Sequence, residues 1–258
     1  MINRIKEICM ETGEIIRAGF GKNFSVEFKT NESNLVTEID KKAETHILNF
    51  IKKNYPSHGI LSEESGEFNN NSEYLWVVDP LDGTTNFAHG LPIFAISIGV
   101  QKSGETIAGA VYDVMRDVFY STELGGGAFE NDSKISVSSN HNFRRSVLVT
   151  GFPYNIADNP DNAIELFIHF LKTTRAVRRL GSAAIDLCYT AKGVFDAFWE
   201  VNLHPWDVCA GKLLVEEAGG IVSGFHGEKI DIFSKRILAT NKKLNSKMVE
   251  EINKIIKT

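Results

Sequence analysis

Between residues 2 and 19 the apolar positions Ile5, Ile8, Ile15 and Ile16 recur at helical spacing among charged residues, which predicts an amphipathic helix. Residues 24–36 read instead as extended, with a polar turn at TNESN. Thr37 is placed to cap a second helix that runs to about residue 53 and is ended by YPSHG. GILSE predicts a short strand. YLWVVD (74–79) predicts a strand almost free of polar residues, as expected where both faces are covered. NNNSE at 69–73 reads as a polar loop. The middle of the chain is β-rich: FAISIGVQ, TIAGAVYDV and DVFYST read as successive strands, with SGE and the residues around Arg116 as turns. GGGAFEND reads as a turn before KISVS, and SVLVTGF (146–152) as a further strand. Helical spacing returns at 160–172, 182–192 and 207–218; ILATN reads as a strand and 242–257 as a closing amphipathic helix.

Helices and strands are interleaved, but without the strict alternation of a doubly wound sheet. This predicts α+β packing in layers within one domain over 1–258. Its two lobes, approximately 1–145 and 146–258, would meet near 145–155.

With 258 residues, 43% hydrophobic and 24% charged, the chain can bury a sizeable core. Its formal net charge of −5 argues against general nucleic-acid binding, which rests on neutralising phosphates. Arg175, Arg178 and Arg179 are the one tight basic cluster, too small to be a footprint. Cys9, Cys188 and Cys209 form no CxxC pair and read as small buried hydrophobes in a reducing compartment. The N-terminal stretch mixes charges through its apolar residues, and the longest apolar runs are too short to span a bilayer. The expectation is a cytoplasmic protein.

Carboxylates stand beside apolar runs in three places: Glu63 and Glu64 after GILS, Asp79 and Asp82 after LWVV, and Asp207 in HPWDVCAG. Hard cations such as Mg2+ take oxygen ligands and share them with substrate phosphate. In DPLDG, Pro80 stiffens a bend that can return Asp82 to the point held by Asp79, with the Leu81 carbonyl between them. Gly83, Thr84 and Thr85 could then present N–H groups to an anion at the start of a short helix. Each signal taken alone has a plainer reading. An isolated D-x-x-D-G is most often a turn, Asp207 an N-cap residue, and Glu63 and Glu64 solvated acids. Neither an EF-hand loop nor a D-x-D nucleophile fits DPLDG, and no Ser-His-Asp spacing is evident, so activated water is the better nucleophile.

Three longer strings, IL-S-EE-S (60–65), WVVDPLDGTTNF (76–87) and PWDVCAGKLLVEEAGG (205–220), resemble the signatures of the inositol monophosphatase family of Mg2+-dependent, lithium-sensitive phosphatases. LVTEID (35–40), GGGAFEND, RRLGSAAIDLCY (178–189) and FWE (198–200) extend the resemblance over nearly the whole chain. It implies the layered α-β-α-β-α sandwich of that family and two or three Mg2+ per site, with Mn2+ as a substitute. Glu63, Asp79, the Leu81 carbonyl, Asp82 and Asp207 would be metal ligands. Thr84, supported by Asp40, would orient the attacking water, with Glu63 and Asp82 also in the catalytic set. The N–H groups of Gly83 and Thr84 would hold phosphate. Glu200, Asp207 and the Gly181-Ser182-Ala183 turn would face the substrate's hydroxyls. Lys29 would belong to a loop near the metals.

Plainer roles stay open beside these: Asp40 as helix support, Glu200 as a strand-end surface acid, Lys29 as a solvated lysine. Arg178 or Arg179 could pair with a structural carboxylate. His204 reads as structural and His89 as a loop residue. The implied reaction is hydrolysis of inositol monophosphate by metal-activated water, in a homodimer, on a small phosphorylated polyol or sugar. Fructose 1,6-bisphosphate, NADP and histidinol phosphate are the competing substrates. A regulatory RNA- or RNA-polymerase-binding protein is the competing class.

Overall fold

The computed structural model describes residues 1–29, 34–68 and 71–256. The polar turn expected at TNESN and the start of the NNNSE loop lie largely outside the described residues.

In chain order, helix α1 (Ile2–Gly19) is followed by strands β1 (Val26–Phe28) and β2 (Leu35–Thr37) and by helix α2 (Glu38–Asn54). Next come β3 (Gly59–Ser62), β4 (Gly66–Phe68), β5 (Tyr74–Asp82), the short helix α3 (Thr84–Ala88), β6 (Ala95–Lys102), β7 (Glu105–Asp113), β8 (Val118–Glu123), β9 (Gly127–Glu130) and β10 (Ser133–Lys134). The remainder is β11 (Val147–Thr150), α4 (Ala163–Thr173), β12 (Ala176–Arg178), α5 (Ala183–Ala191), β13 (Ala197–Val201), α6 (Pro205–Glu217), β14 (Ile221–Ser223), β15 (Arg236–Thr240) and α7 (Asn245–Asn253).

The strands form a two-stranded pair β1-β2, an eight-stranded sheet in the order β10-β9-β8-β7-β6-β5-β3-β4 and a five-stranded sheet in the order β12-β11-β13-β15-β14. Three apolar clusters stack the layers. Ile5, Ile8 and Ile16 of α1 and Ile39, Ile47 and Ile51 of α2 cover one face of the larger sheet at Trp76, Ile98 and Tyr112. The opposite face, at Val77, Ala95 and Val111, packs through α5 and α6 onto Val149, Phe198 and Ala239 of the smaller sheet. The outer face of the smaller sheet, at Leu148, Trp199 and Leu238, is covered by Leu166 and Phe170 of α4 and Met248 and Ile252 of α7. The result is the expected α-β-α-β-α sandwich. α6 lies almost flush on the larger sheet, because a Cβ on Gly99 would meet Cys209 Sγ at 2.4 Å. The three cysteines are buried and free.

Several local expectations need correction. The strand read as breaking at Asp79 continues to Asp82, and its pairing with β6 slips between those two residues. Pro80 is tolerated there because it sits in the irregular part of the ladder. GAFE inside GGGAFEND is strand β9 rather than a turn, and KISVS contributes only Lys134 to a strand. The turn-rich flanks hid a short strand that pairs with β8. α6 begins two residues earlier than expected, with Pro205 in its first turn.

Candidate metal centre and phosphate site

The slip in β5 builds the site. Asp79 faces Ser97 across the ladder and Asp82 faces Ala95, so an extra residue is accommodated between them. The Leu81 N–H donates to Asp79 Oδ1 at 3.0 Å, closing a tight local turn. Asp207 arrives from the first turn of α6, where its carboxylate accepts the His204 N–H at 2.7 Å. The N-cap reading of Asp207 needs correction: His204 is the N-cap of α6, and Asp207 is the third residue of the helix, whose carboxylate closes a capping box and also faces the end of β5. Asp79, Asp82 and Asp207 each bring a carboxylate oxygen within 4.8 Å of the others.

Asp82 is held hard: Ser182 Oγ donates to its Oδ2 at 2.5 Å and the Ala184 N–H at 2.8 Å. These donors belong to the start of α5, where the helix dipole favours negative charge. Even so, burial together with neighbouring charge raises all three acids. Asp82 is pushed to about 6 by burial, with Glu63 adding to it. Asp79 is raised well above the usual carboxylate range by burial and then by the charges of Glu63, Asp82 and Asp207; Asp207 is raised likewise by burial and then by Asp82 and Glu63. Three all-oxygen donors that repel one another in a closed space suit a hard divalent cation.

Glu63 lies outside that tight cluster, at its edge. Lys29 Nζ donates to Glu63 Oε1 at 2.8 Å and to Glu64 Oε1 at 2.5 Å. Lys29 is thus an ion-paired residue of the site's edge and not a solvated hairpin lysine. Burial and the Glu63 charge push Glu64 up to about 7.

Thr84 opens α3 directly after Gly83, whose φ of +97° suits glycine. Its hydroxyl lies 2.8 Å from Asp40 Oδ1 and 3.0 Å from the Leu81 carbonyl. Asp40 is fully buried and also accepts the Thr37 N–H at 2.9 Å. It belongs to the capping box that starts α2, so its helix-supporting role and its contact with Thr84 are both present. Burial raises Asp40, and the hydrogen bonds from Thr37 and Thr84 oppose that rise.

Glu200 is buried on β13, not a surface acid. Its carboxyl stands where a side chain on Gly151 would be, since a Cβ there would meet Glu200 Oε1 at 2.3 Å. Burial, then the Asp82 charge, pushes Glu200 up to about 8. Gly181, Ser182 and Ala183 lie beside the DGTTNF segment, because Asn86 Nδ2 donates to the carbonyls of Ile93 at 2.7 Å and Leu180 at 2.8 Å. Neither Arg178 nor Arg179 makes an ion pair among the described residues; Arg179 lies over the Phe152 ring. His204 stacks on Trp206, and His89 ends α3.

The structure adds residues that local patterns do not reveal. Glu44 and Asn86 hold the site's loops by hydrogen bonds, Gly151 leaves room for the Glu200 carboxyl, and Asp186 is buried with neither carboxyl oxygen hydrogen-bonded. Asn86, inside DGTTNF, was the one nearest to being legible.

The chain is similar to known proteins over nearly its whole length. The family model described as inositol monophosphatase family matches residues 1–257. The phosphatase IMPL1, chloroplastic, of Arabidopsis thaliana is 42% identical over 96% of this chain and 69% of its own length. An inositol-1-monophosphatase of Synechocystis is 40% identical over 95% of this chain and 86% of its own. The Nus factor SuhB of Escherichia coli K12 is 39% identical over 96% and 94%. Among solved structures, the extragenic suppressor protein suhB of Bartonella henselae superimposes with a TM-score of 0.93 at 37% identity, covering 98% of both chains. SaIMPase-II bound to inositol monophosphate superimposes with a TM-score of 0.79 at 32% identity, covering 98% of this chain and 92% of that one. A 2'AMP-bound form of it gives 0.81 at 32% identity, covering 99% and 93%. With the signature strings in order along one fold and a family match from end to end, the chain belongs to the inositol monophosphatase family.

Proposed function

We propose that the protein is a Mg2+-dependent phosphomonoesterase that hydrolyses inositol monophosphate to inositol and phosphate. The observation that carries this reading is the convergence of Asp79, Asp82 and Asp207 beside the Thr84–Asp40 pair. Glu63, Asp79, the Leu81 carbonyl, Asp82 and Asp207 would hold the metal. Bound Mg2+, for which Mn2+ could substitute, would neutralise phosphate charge and make water a competent nucleophile near neutral pH.

The chain's own residues do the rest by position. Thr84, donating its proton to Asp40, keeps lone pairs free to accept from a water, and so aligns it with phosphorus. The N–H groups of Gly83 and Thr84 hold phosphate oxygens. Glu200 and the Gly181-Ser182-Ala183 turn meet the polyol. Asp207 stands on the side of the leaving oxygen. No side chain forms a bond to phosphorus, so catalysis is positioning and charge neutralisation.

The solved relative bound to inositol monophosphate supports the substrate class. The relative's 2'AMP complex supports a pocket open to other phosphate esters. A panel of inositol monophosphates, fructose 1,6-bisphosphate, histidinol phosphate, NADP and 2'AMP, ranked by kcat/KM at fixed Mg2+, tests the proposal. Inositol monophosphate should lead. Zero turnover on every ester would sink the enzyme reading.

One observation favours a second reading: a relative of near-equal similarity is named a Nus factor. A regulatory protein that contacts RNA or RNA polymerase is its counterpart here. The complete carboxylate set favours the enzyme. A homodimer and a cytoplasmic location are part of the same proposal; no helix among the described residues is long and apolar enough to cross a membrane.

A further inference from the structure

One turn beyond Asp40, the inner face of α2 carries a second buried carboxylate, Glu44, only 4% exposed. A buried acid is expected to be satisfied, and this one is, by a single loop. Its Oε1 accepts Ser62 Oγ at 2.5 Å, the Glu64 N–H at 3.0 Å and the Ser65 N–H at 3.0 Å. Its Oε2 accepts Ser65 Oγ. These donors flank Glu63 on both sides. Glu63 itself is tied to the sheet by its N–H to the Val78 carbonyl, at 3.2 Å. Its side chain meets Lys29 at the site's edge.

We propose that Glu44 is a positioning residue that fixes the 62–65 loop so that Glu63 can reach the carboxylate cluster as a metal ligand. Asp40 and Glu44 lie at i and i+4 and so share one face of α2, about one helical turn apart. One rigid helix thereby spaces both halves of the site: Asp40 holds Thr84, and Glu44 holds the loop of Glu63. Glu44 touches neither substrate nor metal, and acts through the loop. The inference rests on the metal-site reading above.

The test is Mn2+ binding to the substrate-free protein, followed by electron paramagnetic resonance, for wild type, Glu44→Ala and Glu44→Gln. The Mg2+ dependence of phosphate release and the melting temperature in chelator are read alongside. Loss of an outer support of a metal ligand typically weakens metal binding about 10–100-fold. Glu44→Ala should weaken Mn2+ binding at least about tenfold and raise the Mg2+ needed for half-maximal rate by a similar factor. kcat at saturating Mg2+ should fall much less. Glu44→Gln keeps one oxygen for Ser62 and the two N–H groups, and should recover most of the affinity. Should Glu44→Ala not fold, the Ser62→Ala/Ser65→Ala double variant reads the same loop and should weaken Mn2+ binding in the same sense. A folded Glu44→Ala or double variant with wild-type Mn2+ affinity overturns the inference. Wild type that binds no Mn2+ at all overturns the metal reading beneath it, so the two failures are distinguishable.

Discussion

The Thr84 hydroxyl lies 2.8 Å from Asp40 Oδ1, joining the start of α3 to the start of α2 across 44 positions of sequence. In the proposed mechanism the carboxylate accepts the hydroxyl's hydrogen bond, which would leave the oxygen's lone pairs to accept from water. Thr84→Ala should therefore lower kcat about 100-fold, the scale on which misplacing a reacting group by about 1 Å slows a reaction. Thr84→Ser should retain most activity. Mn2+ binding should be unchanged in both. Steady-state kinetics with a Mn2+ titration checks this; a Thr84→Ala enzyme within threefold of wild type would remove Thr84 from the mechanism.

Asp82 links metal binding to stability. Burial pushes it up to about 6, against an unfolded value near 3.8. Below about pH 4 it is protonated in both states. As pH rises from there to about 6, the unfolded chain gives up its proton while the folded protein keeps it, so stability is lost across that window. A rise of that size corresponds to roughly 2–3 kcal/mol. Metal-free Asp82→Asn should thus melt higher than metal-free wild type at pH 7, with the gap closing near pH 4, while turnover with saturating Mg2+ is almost abolished. Scanning calorimetry in chelator at both pH values is the check, and a variant that melts lower at pH 7 contradicts the picture.

Glu200 behaves similarly over a wider range. Its folded value near 8 lies above its ordinary 4.5, so stability present at pH 4.5 is lost by pH 8. Glu200→Gln should stabilise the protein at pH 8–9, leave it unchanged at pH 4, and raise KM for inositol monophosphate more than it lowers kcat. Equal melting of variant and wild type at pH 9 would mean that burial does not raise Glu200.

Gly151→Ala tests the seat of Glu200. A methyl group there must displace the carboxyl, because its Cβ would stand 2.3 Å from Oε1. Overpacking of this kind costs about 1–3 kcal/mol. The variant should lose stability by that amount and show the Glu200→Gln pattern of raised KM. A crystal structure with Glu200 unmoved would refute the seat.

Much of this was legible along the chain, and the exceptions have physical causes. The isoleucine spacing marks α1 at its observed ends, and Thr37 marks the start of α2, because both signals are local. The carboxylates of β5 and Asp207 were legible as candidates, since each stands beside an apolar run. The pairing of Gly151 with Glu200 was not: β11 and β13 are adjacent, with Thr150 opposite Trp199, yet 49 positions separate those two residues. Glu44 reads locally as one more polar residue of an amphipathic helix, and only the fold turns it inward. The slip in β5 looked like a strand end because Pro80 breaks the pattern, whereas pairing resumes at Asp82.

The central claim is that the Asp79–Asp82–Asp207 cluster works through a divalent cation on a phosphate ester. Phosphate release from inositol 1-phosphate, measured in excess chelator and then across a Mg2+ titration, tests it most directly. No release in chelator, and a saturable return with Mg2+ that Asp82→Asn lacks, is the predicted result. Hydrolysis that persists in chelator, or an Asp82→Asn protein with the wild-type Mg2+ response, would contradict it.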